Sequence, residues 1–360
     1  MNIRVVLTGG GTAGHVNPNL ALIEVLREEA CDLFYMGSDK GVERAMITAR
    51  NIPYYAVRSG KLRRYFSWQN VIDPFNLLIG VVQSYVLLRR LKPQVVFSKG
   101  GFVALPVVVA AWLNRIPVIA HESDLTPGLA NRLSMPFVDL LCVTFAGSKA
   151  HIKRQEKVQV TGTPIRQGLL NGSREQGLLR CGFDATKPCL LVMGGSQGAR
   201  VLNTCVREAL PRLNHRFQVI HLCGKGNLDV ALDNHAGYRQ FEYVEEELAD
   251  LFAASTLVVS RAGANALCEI LACGMPHVLV PLPRKSSRGD QIENARYFEK
   301  QGISTVVNEE ELTPETLLMA IDHVEASHED IAAKIASLHI ESATTAVAQL
   351  IQQKAGARIR

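Results

Sequence analysis

No Asp-x-Asp pair occurs in this sequence, which removes the usual carboxylate grip on a divalent ion held against a nucleotide diphosphate. No Cys-x-x-Cys pair occurs either. Of the eight cysteines, Cys31, Cys142, Cys189, Cys205, Cys223 and Cys268 lie inside apolar runs, the setting of small buried hydrophobes in a reducing compartment and not of a disulfide framework. Excess charge is small, a net +5 over 360 residues. Zinc-finger spacing, an RNP-like segment and a basic zipper are all missing, so nucleic acid is not an expected partner. The basic excess gathers at Lys61, Arg63, Arg64, Arg89, Arg90 and Lys92, the footprint of a local anionic partner. No apolar run reaches the roughly 20 residues that span a bilayer. Residues 1–7 already read as a strand, which leaves no room for a secretory leader, and a cytoplasmic location is expected.

What is present is a repeated strand, glycine loop and helix. Short β-branched runs at 3–7, 95–97, 118–120, 190–193, 219–222, 257–259 and 278–280 alternate with helical pattern, which predicts an α/β class with parallel sheets covered on both faces. The length suits two domains. Breakers at 161–166 predict the hinge, with domains at 1–163 and 164–340 and a C-terminal helix, about 341–360, packing back on the first.

Three glycine loops are candidate sites. Gly9-x-Gly11-x-x-Gly14 fits a dinucleotide fingerprint, but the second strand ends in Gly37-Ser38-Asp39, a late place for the ribose acid of a dehydrogenase. The loop instead offers Thr12 and His15. Gly194-Gly195-Ser196-Gln197-Gly198 opens another helix, whose free amides and dipole suit a diphosphate without a metal. A third loop, Arg261-Ala262-Gly263-Ala264, leads into a helix carrying Glu269, placed either as a solvated residue or as an acceptor for a ribose diol.

The segments Gly9-Gly10-Gly11-Thr12-Ala13-Gly14-His15-Val16, His121-Glu122, Gly194 to Arg200 and Asp290-Gln291-x-x-Asn294-Ala295 together resemble the MurG family, in the right order and over most of the chain. The resemblance implies a GT-B fold, two Rossmann-like doubly wound parallel-sheet domains facing across a cleft. It implies an inverting hexosyltransferase of peptidoglycan synthesis, and so of cell shape and division, that moves GlcNAc from UDP-GlcNAc to the 4-hydroxyl of lipid I and forms lipid II, with no cofactor and no metal. By position, Thr12, Ala13, Gly14, Asp124, Arg166, Gly195, Ser196, Gln197, Val244, Arg261, Ala264, Asn265, Ala266, Leu267, Cys268, Glu269 and Gln291 fall to the donor. Gly100, Gly101, His121 and Asn131 fall to the acceptor. The sequence departs from the family pattern at Ala13, Asp124, Phe102 and Ala262, where Gly, Asn, Tyr and Ser are common.

His15 and Glu122 are both candidates for the base that takes the acceptor proton. A UDP-GlcNAc 2-epimerase, another GT-B sugar transferase, and a membrane-attached scaffold that binds UDP-GlcNAc without turnover remain as alternatives. Asp73-Pro74 predicts a helix start, and the apolar helix after it reads mostly as core. Arg63, Arg64, Phe66 and Trp68, cations interleaved with aromatics, are expected to contact the anionic inner face of the cytoplasmic membrane as a peripheral attachment.

Overall fold

The structure is a computed structural model that describes residues 2–60, 69–195, 198–338 and 343–359. The chain divides into two units, Met1–Arg166 with Glu341–Arg360, and Gln167–Ile340. The first therefore runs through Arg166.

The first unit is built on β1 (Arg4–Thr8), β2 (Asp32–Gly37), β3 (Tyr54–Ala56), β4 (Val95–Ser98), β5 (Val118–Glu122), β6 (Leu140–Val143) and β7 (Val158–Val160). They form one parallel sheet in the order β3-β2-β1-β4-β5-β6-β7. Side chains alternate across it with period two. Val5, Leu7, Val95 and Phe97 join one core with the helix Ala13–Glu28 and with Val347, Ala348, Ile351 and Ala355 of the C-terminal helix Ala343–Ile359. Val6 and Val96 join the other, under the helices Gln69–Leu91 and Ala104–Leu113. Each of the fully buried valine, leucine, isoleucine and phenylalanine side chains among these contributes about 1.5–3 kcal/mol. The terminal helix is thus part of the first unit's core, tied also by Thr344 Oγ1, which donates to Ile165 O and accepts from Ile165 N–H at 2.8 and 3.0 Å.

The second unit carries β8 (Cys189–Met193), β9 (Gln218–Leu222), β10 (Tyr238–Phe241), β11 (Leu257–Ser260), β12 (His277–Leu279) and β13 (Thr305–Val306), parallel in the order β10-β9-β8-β11-β12-β13. In each sheet the chain reverses its direction of travel between two neighbouring strands, β1 and β4 in one and β8 and β11 in the other. The crevice beyond the carboxyl ends of such a pair is where ligands settle in this class of fold.

One sequence expectation is corrected here. Pro74 lies inside the helix Gln69–Leu91 and does not start it. As the sixth residue it costs the helix one hydrogen bond, the one its amide would make to Asn70 O, just past the four first amides that lack helical partners anyway.

Candidate active site

At the β1/β4 crevice the loop after β1 meets the loop after β4. Gly101 has φ +83°, and a Cβ there would lie 2.4 Å from Gly10 O, so only glycine lets the two backbones touch. On this floor Thr12 is exposed, His15 is half-buried in the first turn of the helix, and Thr12 Oγ1 is 3.0 Å from His15 Nδ1. Ala13 and Gly14 complete the same turn.

Glu122 ends β5 with its carboxylate occupied. Oε1 accepts the Asp124 N–H at 3.1 Å, and Oε2 accepts the Gly128 N–H at 2.8 Å and Asn131 Nδ2 at 2.9 Å. It staples the 123–131 loop and is not disposed as a base. His121 is wholly buried, with Nε2 donating to Gly162 O at 2.8 Å. Burial, and then the Lys99 ammonium, hold its imidazole well below the usual histidine range. It is a neutral support, not a surface for an acceptor. Asn131 is buried and bonds His121 O at 3.1 Å, while its Oδ1 is directed at Gly100. Asp124 is half-buried on the stapled loop. Arg166 lies near enough to Glu24 for its charge, with that of Arg50, to oppose the upward push that burial gives the Glu24 carboxyl.

Two charged residues that the sequence did not single out belong to this floor. Lys99, 2% exposed, donates to Ser123 Oγ at 2.5 Å. Glu43, 0% exposed, accepts the Gly11 N–H at 3.1 Å. The signal for Lys99 is a cation set between a strand and Gly100-Gly101. Nothing in the spacing marks Glu43. Asp39 is exposed and paired with Arg44.

In the second unit the glycine loop joins β8 to the helix Arg200–Leu213, whose N-cap is Ala199 and whose first turn holds no acid. Its first-turn amides have no side-chain cap, the arrangement that receives anions. Gly195 is exposed, and Gly198, at φ +76°, packs so tightly that a Cβ would sit 2.2 Å from Cys223 O. That carbonyl is held by Asn203 Nδ2 at 2.8 Å, Asn203 Oδ1 meets His221 Nε2 at 3.0 Å, and His221 Nδ1 meets the Tyr238 hydroxyl at 2.9 Å. The chain of bonds is satisfied by a neutral His221 that donates from Nε2 and accepts at Nδ1.

The loop after β11 opens the helix Ala264–Ala272 at Gly263, again without a side-chain cap. Gln291, on the helix Asp290–Glu299, accepts the Leu282 N–H at 3.0 Å through Oε1 and turns Nε2 toward Gly263. Two glycine-opened helix ends at one sheet edge suit a nucleotide diphosphate and its sugar.

The chain matches two family models, the Glycosyltransferase family 28 N-terminal domain over residues 5–142 and the C-terminal domain over residues 189–353. It is 58% identical over 355 residues to the UDP-N-acetylglucosamine–N-acetylmuramyl-(pentapeptide) pyrophosphoryl-undecaprenol N-acetylglucosamine transferase of Legionella pneumophila strain Paris, spanning 99% of this chain and 98% of that one. The chain belongs to the MurG family of N-acetylglucosaminyltransferases. A Bacillus cereus transferase of the same description, numbered 2, is 51% identical over 326 residues, with 91% and 92% covered. The crystal structure of Acinetobacter baumannii MurG superposes with a TM-score of 0.77 at 26% identity, covering 98% and 99%. The family's GT-B architecture is the pair of parallel-sheet units described above.

Within this MurG-family chain the side chains of several expected donor contacts are buried. Arg261 is buried, donating to Val280 O at 3.1 Å and pairing with Glu309, so its guanidinium is spent on the fold. Leu267 and Cys268 face the core, as does Ala264, so their side chains do not line a site. Asn265, Ala266 and Glu269 are the half-buried face of that helix. Val244 is buried beside Leu248 and Leu251. Ser196 and Gln197, and the basic aromatic run with Arg63, Arg64, Phe66 and Trp68, lie outside the described residues.

The helix Gln69–Leu91 corrects a further expectation, because it is not mainly core. Phe75 (66% exposed), Leu78 (63%), Ile79, Val82 (58%) and Val86 form one outward stripe at helical spacing. Trp112 and Leu113 lie exposed at the end of the neighbouring helix. Arg89, Lys92 and Arg115 border a hollow of about 910 Å³ beyond them. Among the described residues no helix is long and apolar enough to cross a membrane.

Proposed function

We infer that this protein transfers GlcNAc from UDP-GlcNAc to lipid I, undecaprenyl-diphospho-MurNAc-pentapeptide, forming lipid II. The observation that carries the activity is the 58% identity with a transferase of that description over 99% of the chain. It also favours transfer over the 2-epimerase and scaffold readings.

The donor is assigned to the second unit. Diphosphate oxygens accept from the uncapped first-turn amides of the helix Arg200–Leu213 with the helix dipole behind them, and no metal is assigned a part in this grip. Among the described residues no cluster of three or more His, Cys, Asp or Glu is suited to a metal ion. The Val244 backbone faces uracil, Glu269 takes the ribose diol, and Gln291 Nε2 with the first-turn amides of Ala264, Asn265 and Ala266 faces the GlcNAc.

His15 is the base. For Nε2 to take the proton, Nδ1 must carry hydrogen and donate to Thr12 Oγ1, which the 3.0 Å contact permits. The acceptor 4-hydroxyl then attacks C1, its proton passes to Nε2, and the C1–O bond to UDP breaks, inverting the anomeric centre. Departing charge is stabilised by the amides of the second unit.

The apolar stripe of the helix Gln69–Leu91, flanked by Arg89, Arg90, Lys92 and Arg115, is the contact with an anionic bilayer. Such contact puts the enzyme beside its lipid acceptor at the cytoplasmic face. The deciding assay supplies UDP-GlcNAc with and without a soluble lipid I analogue. Disaccharide and UDP formed only with the acceptor support the reading, whereas ManNAc released from donor alone would overturn it in favour of an epimerase.

A further inference from the structure

We propose that Glu43 is a positioning residue for the transfer, its buried carboxylate setting the peptide plane that aims Thr12 and His15. The proposal rests on the assignment of His15 as base.

A carboxylate without exposure is costly unless its oxygens are satisfied. No cation forms an ion pair with Glu43 among the described residues. Its partners are donors from two loops: the Gly11 N–H at 3.1 Å on Oε2, and the Ser38 N–H at 3.0 Å and Ser38 hydroxyl on Oε1. The room is made by glycine, since a Cβ at Gly10 would fall 2.5 Å from the carboxylate and one at Gly41 2.1 Å. The Tyr54 hydroxyl donates to Ser38 O and so fixes the far side of the clamp.

The bond to Gly11 matters because of where it lies. The Gly10–Gly11 peptide is flanked by two residues without side chains, so its plane has little preference of its own. A trans peptide points its N–H and C=O in opposite directions. Holding the Gly11 N–H on Glu43 turns Gly10 O toward Gly101, the contact that joins the two glycine loops. Thr12 follows directly, with its hydroxyl on His15 Nδ1 and its carbonyl accepting the His15 N–H at 3.1 Å. A flip of this one peptide moves the hydroxyl that selects the tautomer of the base. Glu43 stands near the place where a dinucleotide fold keeps its ribose acid, yet here it faces inward and is closed to any ligand.

Glu43→Gln keeps the shape but presents an amide to one of the N–H donors. The expected result is a fall in kcat of about tenfold to a hundredfold, with KM for UDP-GlcNAc within about twofold of wild type. In a double-mutant cycle, adding Glu43→Gln to His15→Ala leaves the residual rate unchanged, because Glu43 acts through His15. Should Glu43→Gln melt below the assay temperature, Ser38→Ala carries the test. It removes only the hydroxyl, and a fall in kcat at constant donor KM is again expected, with wild-type kcat against. Loss of activity in His15→Ala beside wild-type kcat in Glu43→Gln overturns this proposal alone. An equal fall from Glu43→Gln in the wild-type and His15→Ala backgrounds would do the same. Wild-type kcat in His15→Ala overturns the base assignment and this proposal with it.

Discussion

A histidine can serve as base on only one of its nitrogens at a time, and Thr12 decides which. With Nδ1 engaged by the threonine hydroxyl, the proposed mechanism leaves Nε2 to receive the acceptor proton. His15→Ala is expected to lower kcat by about 10²–10⁴-fold. Thr12→Val should lower kcat less, leaving the donor KM unchanged. Steady-state kinetics across pH check both. Arg261 is the opposite case. Its guanidinium and Glu309 neutralise each other out of solvent, so Glu309→Ala leaves a buried cation and costs about 3–5 kcal/mol of stability, read as a lower melting temperature. Donor affinity in whatever fraction folds should be unaltered. The loop that carries Thr12 and His15 was legible in the sequence because an apolar strand, glycines and a helical pattern follow one another there. That the side chains of Arg261, Leu267 and Cys268 are buried was not legible, because matching a motif gives position along a helix, while burial decides which side chains are open to a ligand. Glu43 was illegible for the same reason, since spacing does not tell a buried acid from a solvated one.

Between the elements, two buried imidazoles make the second unit sensitive to acid. Burial first, then the Arg207 charge, lowers His221 to about 3, and burial lowers His277 to about 4. Both folded values lie below the unfolded value of about 6.5. The unfolded chain therefore binds protons that the folded one refuses. The stabilisation is complete above about pH 6.5 and is lost progressively as pH falls toward 4 and then 3. Urea midpoints should decline from pH 7.5 to pH 5, and a flat profile would contradict it. The helix Gln69–Leu91 gives the element-scale test of membrane contact. Phe75→Ser, Leu78→Ser and Val82→Ser together remove side chains that each contribute about 1.5–3 kcal/mol when buried. Binding to anionic vesicles should fall by more than about a hundredfold, with the melting temperature nearly unchanged because all three are already exposed. Sequence pattern recovered the central strands of both sheets, whose apolar runs are continuous. It did not mark β3, β7, β10 and β13, which are edge strands of two to four residues, nor β6, whose run is only Leu140 to Val143. It took the helix Gln69–Leu91 for core, because a helix apolar on most sides reads alike whether it faces protein or lipid.

At the scale of the molecule, two similar parallel-sheet units carry different chemistry at equivalent edges. One exposes a hydroxyl and an imidazole, the other two helix ends free of side-chain caps. The proposed mechanism divides the labour between them: the first unit activates the acceptor, and the second holds the nucleotide through backbone amides. Gly198→Ala tests the second half of that statement, since a Cβ there would strike Cys223 O and the residue must keep φ +76°. It should raise the KM for UDP-GlcNAc at least tenfold, about 1.4 kcal/mol, with little change in acceptor KM. The most direct measurement is a crystal structure of the protein with UDP-GlcNAc bound in the presence of EDTA. The account predicts the diphosphate against the amides that follow Met193, uracil beside Val244 and the ribose on Glu269. Nucleotide lodged against Gly9 to Gly14, or binding that disappears with the chelator, would contradict it.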